Sequence, residues 1–190
     1  YGLSSFENLL QRVARDPAML VYLDGANSRK AQPNENFARE VMELFTVGLG
    51  PYSEKDVREA ARAFTGWHLR DDQFFLNPNE HDDGPKAVLG QSGKLDGSDI
   101  LTLLADHPAT AVRLTRKLFE FFVFDQPDDR ALHPFVDTWK ASRGNVREVL
   151  KAMFLSPVFS SERAYRARIK SPAEFVIGAI RQLGGTIAPR

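Results

Sequence analysis

The segment from Pro33 to Trp67 constrains the fold of this chain most strongly, because it predicts two amphipathic helices joined by a glycine-containing turn. Asn34 can cap the first helix by accepting hydrogen bonds from backbone N–H groups of the first turn. Apolar side chains then recur three and four positions apart, which places them on one helix face. They are Phe37, Val41, Leu44 and Phe45. Gly48 and Gly50 favour a left-handed stop, so we predict a helix over residues 34–48.

The second helix of this segment is predicted to begin at Ser53 and to end before Gly66. Asp56 lies three residues after Ser53, so the two can form a capping box in which Asp replaces the usual Glu or Gln. Small and apolar residues form its inner side, and they allow a close approach to the first helix. They are Val57, Ala60, Ala61 and Phe64. We call Pro33–Trp67 the helix-pair segment.

The rest of the chain predicts a mostly α-helical fold of one domain, residues 1–190, with about eight helices whose ends carry most of the Gly and Pro residues. Residues 68–90 are the exception, because turn residues there separate two short apolar runs, Phe74–Leu76 and Ala87–Leu89. We predict an ordered loop or a small β-hairpin at 68–90, inserted between helices. Because Tyr1 is not an initiator methionine, we expect the chain to be a fragment of a longer protein.

Composition excludes several classes of protein. The 25 Lys and Arg residues balance 25 Asp and Glu residues, so the formal net charge is zero and we predict no nucleic-acid partner. The absence of cysteine excludes disulfides, thiol catalysis and zinc–thiolate sites. No apolar run approaches the roughly 20 residues of a membrane-spanning helix, so we predict no transmembrane segment. An apolar fraction of 43% is ordinary for a globular domain.

The polar face of the first predicted helix is one candidate site. Asn36, Glu40 and Glu43 recur at i, i+4 and i+7 and share this face. Two carboxylates three residues apart can share a divalent metal ion or a proton, so Glu40 and Glu43 are candidate metal ligands and catalytic groups. Asn34, Asn36 and Arg39 are candidate ligand-binding residues. In the alternative interpretation, Arg39 forms surface ion pairs with the glutamates four residues away on either side.

The loop at residues 80–86 is a second candidate site. A histidine with neighbouring carboxylates can bind a divalent metal or act in acid–base catalysis. His81 is therefore a candidate catalytic residue and metal ligand, Asp82 a further metal ligand, and Lys86 an anion-binding residue. The alternative is a polar turn at residues 83–85 with no ligand. His68, which follows Trp67, is more typical of a residue at the edge of the core.

The helix-pair segment resembles the pattern of the bacterial family called "domain of unknown function 1800". Three runs carry the resemblance: Asn34–Glu40 (NENFARE), Met42–Gly48 (MELFTVG) and Asp56–Trp67 (DVREAARAFTGW). Shorter similar runs lie elsewhere, so the resemblance covers nearly the whole chain. They include Asp16–Leu20, His81–Lys86, Leu155–Phe159 and Lys170–Val176. Val41, where the family usually has Leu, is the one departure we see in the segment.

This resemblance implies a large, exported bacterial protein of which the chain is the carboxy-terminal part, and a sulfatase-like partner suggested by gene neighbourhood. It implies no established activity, so whether the protein is an enzyme stays open. Two hypotheses remain. In the first, helix 34–48 and loop 80–86 converge on one pocket of a metal-binding, ligand-binding or hydrolytic domain, with a divalent metal as the candidate cofactor. In the second, the same residues form a buried polar network in a non-catalytic structural or assembly domain.

Overall fold

The structure, a computed structural model, describes residues 1–186. Over these residues the chain is 54% helical, with nine α-helices, and it contains two small antiparallel sheets. The mostly α-helical fold predicted from the sequence is confirmed, with nine helices where about eight were expected. The helices are α1 (Phe6–Ala14), α2 (Pro17–Tyr22), α3 (Glu35–Glu40), α4 (Glu54–Ala63), α5 (Gly97–Asp106), α6 (Pro108–Phe122), α7 (Asp129–Ala141), α8 (Val146–Leu155) and α9 (Pro172–Gln182). Within the described range, no helix is long and apolar enough to span a membrane.

The helix-pair segment forms α3 and α4, and both predicted caps are present. Asn34 Oδ1 accepts a hydrogen bond from the backbone N–H of Phe37 at 3.2 Å. Ser53 and Asp56 form the capping box, each side chain accepting from the other residue's backbone N–H. The helices are antiparallel, because Phe37 at the start of α3 packs against Phe64 at the end of α4, with ring centroids 5.1 Å apart.

The first predicted helix is not α-helical throughout. Residues 35–40 are α-helical, whereas Val41–Phe45 form a π-helical turn, in which hydrogen bonds span five residues. Thr46, which is buried, follows this turn. Its hydroxyl donates hydrogen bonds to the carbonyl groups of Val41 (2.7 Å) and Met42 (3.2 Å). Because a π-helical turn contains more residues than an α-helical turn, the side chains after Glu40 point in different directions from those they would have in an α-helix. Glu43 therefore does not keep the i+7 relation to Asn36 that the sequence pattern assumed.

The segment 68–90 contains β structure, as predicted, but it belongs to two hairpins rather than one. Strands β1 (Trp67–Arg70) and β2 (Gln73–Leu76) pair in one hairpin, and β3 (Lys86–Val88) and β4 (Gln91–Gly93) in the other. The two-residue turn at 71–72 has φ of 51° and 56°, and the turn at 89–90 has 49° and 81°. Such left-handed turns match the twist of paired strands. The two predicted apolar runs therefore do not pair with each other. The first lies in β2, which pairs with β1, and the second lies largely in β3, which pairs with β4.

An aromatic group lies at the centre of the first core cluster. Trp67 packs against Phe37, Phe64 and Phe74, with ring centroids 5.9, 5.1 and 5.1 Å apart. Buried side chains of α1 to α5 surround these rings. Burial of each large apolar side chain stabilises the fold by about 1.5–3 kcal/mol relative to exposure. This cluster fixes the ends of the helix pair and the start of β1 relative to each other.

A second core cluster lies between α6, α7 and α8, and its buried residues include Phe119, Trp139 and Met153. Phe6 of α1 packs against both clusters, and its ring lies 5.7 Å from that of Trp139. The backbone beside it pairs with the α7–α8 turn, because Phe6 N donates to Gly144 O at 2.8 Å and Val146 N donates to Ser4 O at 3.1 Å. The start of α1 therefore connects the two halves of the fold.

Candidate functional site

The polar side of α4 attaches the second hairpin to the helical core. Asp56 Oδ1 accepts a hydrogen bond from the backbone N–H of Leu89 at 2.8 Å, and Glu59 Oε2 accepts one from that of Ala87 at 3.0 Å. The two acceptors are one helical turn apart on α4, and the two donors lie in β3 and in the turn that follows it. One helix face therefore holds both the strand and the turn of this hairpin.

Arg62, at the end of the same face, joins α4 to the predicted loop site. Its Nε donates to Asp82 Oδ2 at 2.7 Å and its Nη2 to Asp82 Oδ1 at 3.2 Å, while Nη1 donates to Glu59 at 2.9 Å. The Arg62 and Asp82 side chains are only 29% and 21% exposed. The hydrogen bonds from Arg62 lower the pKa of Asp82, and those to Asp82 and Glu59 raise the pKa of Arg62. Asp82 is therefore held as an ionised partner of Arg62.

Lys86 was predicted to bind an anion, and the structure places it in the interior. Only 2% of the residue is exposed. Its Nζ donates to the backbone carbonyl groups of Asp82 (2.5 Å) and Gly84 (3.1 Å). Burial lowers the pKa of the ammonium group, because the charged form is poorly solvated there. The contacts of Lys86 therefore close the 82–86 turn of the protein itself.

His81 is fixed by the loop that follows α4. Its Nδ1 lies 2.8 Å from the carbonyl oxygen of Thr65, which can only accept, so Nδ1 carries a proton. In the neutral ring, Nε2 is then the nitrogen that could accept a proton or bind a metal. The hydroxyl of Thr65 also accepts a hydrogen bond from Asp82 N at 2.9 Å, so Thr65 orients both candidate residues.

The candidate residues of helix 34–48 contact a different region. Besides capping α3, Asn34 donates through Nδ2 to the carbonyl groups of Leu23 (3.1 Å) and Asp24 (2.7 Å). Arg39 pairs with Glu54 through two hydrogen bonds of 2.7 and 2.8 Å, rather than with glutamates of its own helix. This pairing raises the pKa of Arg39 and lowers that of Glu54.

The remaining residues of that helix have few polar contacts. Glu43 Oε2 accepts a hydrogen bond from the Tyr52 hydroxyl at 3.2 Å. Burial and this hydrogen bond raise the pKa of Tyr52. Asn36 is exposed and Glu40 is half-buried. Within residues 1–186, neither side chain forms a hydrogen bond to another residue.

The structure does not bring the two candidate sites together in one pocket. Glu43 contacts Tyr52, just before α4, whereas His81 contacts Thr65, just after it. The ten residues of α4 span about 15 Å, which separates the two ends. In the part of the chain that the structure describes, no group of three or more His, Asp or Glu side chains is placed to hold a metal ion. The assignment of Glu40, Glu43, His81 and Asp82 as metal ligands stays a prediction.

Comparison with known protein families assigns the chain to one of them. The sequence model of the family described as "Protein of unknown function (DUF1800)" matches residues 1–189. The chain belongs to the DUF1800 family. Comparisons with curated proteins and with solved structures found no match. Membership confirms the resemblance seen in the helix-pair segment, and it assigns no reaction to these residues.

A further polar group of this DUF1800 domain was not predicted as a site. His68 of β1 lies with Nδ1 2.7 Å from the carbonyl oxygen of Ala26 and with Nε2 2.5 Å from Oε2 of Glu80. Arg29 Nε lies 3.3 Å from the same carboxylate oxygen. These contacts join three segments that are distant in sequence. Only the position of His68 directly after Trp67 pointed to this group, and no sequence pattern paired His68 with Glu80.

Proposed function

We propose that this is a non-catalytic structural domain for protein assembly, in which the helix-pair segment forms an internal polar network. The contact of Arg62 with both Asp82 and Glu59 carries the proposal. Each charged group in this contact has a partner within the chain, as a structural network requires. These contacts favour the second hypothesis for loop 80–86, with α4 rather than helix 34–48 as the partner of the loop.

The network explains how a long segment between α4 and α5 can be held in one shape. Connections longer than about 12–15 residues are uncommon when they lack secondary structure, and the two short hairpins of this one need contacts with the helical core. Here Asp56, Glu59 and Arg62 supply those contacts from a single helix face. Lys86 adds an internal cation that satisfies two carbonyl groups of the turn. These contacts hold the surface of the hairpins in one conformation, and a partner protein could bind such a surface without first having to order it.

An exposed aromatic row on the opposite half of the fold supports the assembly part of the proposal. Phe121, Phe122, Phe154 and Phe159 follow one another with ring centroids 4.7, 5.2 and 5.1 Å apart. Their exposed fractions are 49%, 37%, 40% and 39%. Contiguous exposed apolar surface of this kind is typical of interaction sites. The sulfatase-like partner and the exported location implied by the family resemblance stay predictions.

The proposal is tested by comparing Arg62→Met with Arg58→Met, a matched change at an exposed position of the same helix. Removing Arg62 leaves Asp82 without its cation, which we expect to lower the free energy of unfolding by about 2 kcal/mol. For a domain of this size, the melting temperature should fall by about 4–8 °C. Arg58→Met should change it little. Equal melting temperatures for the two variants would contradict a structural network.

Metal analysis of the full-length protein addresses the competing function. The proton on Nδ1 of His81 leaves Nε2 available, and this favours a metal-binding or hydrolytic role as the second candidate. We expect no stoichiometric metal in the purified protein. Stoichiometric metal that is lost in both Glu40→Gln and His81→Ala would instead establish a shared site and overturn the structural proposal.

A further inference from the structure

A small surface pocket lies where the first hairpin meets the loop after α2. His68 and Arg70 are two residues apart on β1 and therefore lie on the same face of the hairpin. Phe75 is the register partner of His68 on β2. Arg29 and Glu80 complete the wall of the pocket. We call this the Arg29–Arg70 pocket.

The contacts of His68 determine how many protons this pocket holds. The carbonyl oxygen of Ala26 can only accept, so Nδ1 of His68 donates to it. Nε2 then faces a carboxylate oxygen of Glu80 at 2.5 Å, and a hydrogen bond there requires one more proton. That proton lies either on His68, giving an imidazolium–carboxylate pair, or on Glu80, giving two neutral groups. The His68–Glu80 pair is electrically neutral in both cases.

The charge of the pocket therefore comes from its two arginines. Arg29 Nε lies 3.3 Å from Glu80 Oε2, and within residues 1–186 neither Nη1 nor Nη2 of Arg29 donates a hydrogen bond. The Arg70 guanidinium lies 4.0 Å above the Phe75 ring, and within residues 1–186 it forms no ion pair. The nearest acidic residues in sequence, Asp71 and Asp72, form the exposed hairpin turn. A net charge of two positive units thus lines the pocket of a chain whose formal net charge is zero.

We propose that the Arg29–Arg70 pocket binds an oxyanion, the carboxylate or phosphate group of a partner or small molecule. Guanidinium groups present paired N–H donors that match the oxygens of such a group. Stacking on Phe75 holds the Arg70 donors in place, which reduces the entropy lost on binding. The His68–Glu80 pair fills the pocket wall without adding net charge, so it does not offset the arginines.

The test uses the long-range ¹H–¹⁵N spectrum of the His68 ring, assigned with His68→Gln, while inorganic phosphate or acetate is titrated. We expect a saturable shift of the His68 signals with at least one anion. Arg29→Gln and Arg70→Gln should each weaken binding roughly tenfold, the loss expected for a charge-assisted hydrogen bond. Arg58→Gln is the matched control and should bind as the wild type does. Preference for phosphate or for acetate identifies the group recognised.

Thermal unfolding of each variant ensures that weakened binding is not caused by unfolding. No saturable shift with either anion would overturn the proposal, as would equal weakening in Arg58→Gln. Arg62 and Asp82 lie outside this pocket, so failure of anion binding leaves the proposed polar network untouched. Conversely, loss of the network in Arg62→Met would not by itself abolish the charge of the pocket.

Discussion

Arg62 and Asp82 meet through two hydrogen bonds, from Nε to Oδ2 at 2.7 Å and from Nη2 to Oδ1 at 3.2 Å. The pair connects the last turn of α4 to a loop twenty residues further along the chain. The carboxylate of Asp82, which we predicted from the sequence to be a metal ligand, is thus engaged by Arg62. In the structure, both oxygens of the Asp82 carboxylate accept hydrogen bonds from Arg62 and so hold the loop against α4.

Replacing Asp82 by Asn should cost stability by an amount that depends on pH in a defined direction. The folded state lowers the pKa of Asp82, so its stabilising effect is complete above the unfolded value near 3.9 and is lost as the pH falls through the lowered folded value. We expect Asp82→Asn to lose about 1–2 kcal/mol of unfolding free energy above about pH 5. Urea unfolding at pH 7 and in acid measures this. The difference from wild type should shrink in acid, and Asp83→Asn, at an exposed neighbour, should cost little stability at pH 7.

Lys86→Met should destabilise the turn that follows Asp82. The change removes donors to two carbonyl groups, which we expect to cost about 1–3 kcal/mol at pH 7. Burial lowers the folded pKa of Lys86, so the folded state binds fewer protons than the unfolded state between the folded value and about 10.4. Wild type should therefore gain stability relative to Lys86→Met as the pH rises through this window. Urea midpoints of both proteins at pH 7 and pH 10 test the sign, and a relative loss at pH 10 would refute it.

Gly97→Ala should disturb the first core cluster. A Cβ atom at Gly97 would lie 2.5 Å from the Trp67 ring and 2.8 Å from the Phe64 ring. Such overpacking typically costs about 1–3 kcal/mol. The matched control is Gly178→Ala in α9, where a Cβ meets no atom within 4 Å. This control should gain about 0.5–1 kcal/mol from helix propensity, so thermal unfolding should move the two variants in opposite directions.

Thr46→Val tests the π-helical turn after α3. The change keeps the side-chain shape but removes the hydroxyl that donates to Val41 and Met42 in a buried site. We expect a loss of about 1–2 kcal/mol in the free energy of unfolding. Thr138→Val removes a solvent-exposed hydrogen bond to Pro134 and should be nearly neutral. Equal effects of the two changes would mean that Thr46 does not stabilise the turn.

The helix caps and turns were predictable because their partners lie within a few residues. Asn34 reaches Phe37, and Ser53 reaches Asp56, both three positions along the chain. Gly48 and Gly50 adopt the positive φ that the predicted stop requires, at 79° and 104°. These contacts depend on local geometry alone, which one sequence contains. The π-helical turn was not predictable, because the buried Thr46 hydroxyl that completes it depends on packing around it.

The sequence by itself determined a mostly α-helical chain with capped helix ends and membership of the DUF1800 family. Only the tertiary structure decided which charged side chains form ion pairs with each other. Arg39 pairs with Glu54, fifteen residues away, although Glu35 and Glu43 lie only four residues from it in sequence. His68 meets Glu80 and Arg29 because a hairpin and two loops converge. Charged side chains are long and pair weakly at the surface, so the packing of apolar faces sets their partners.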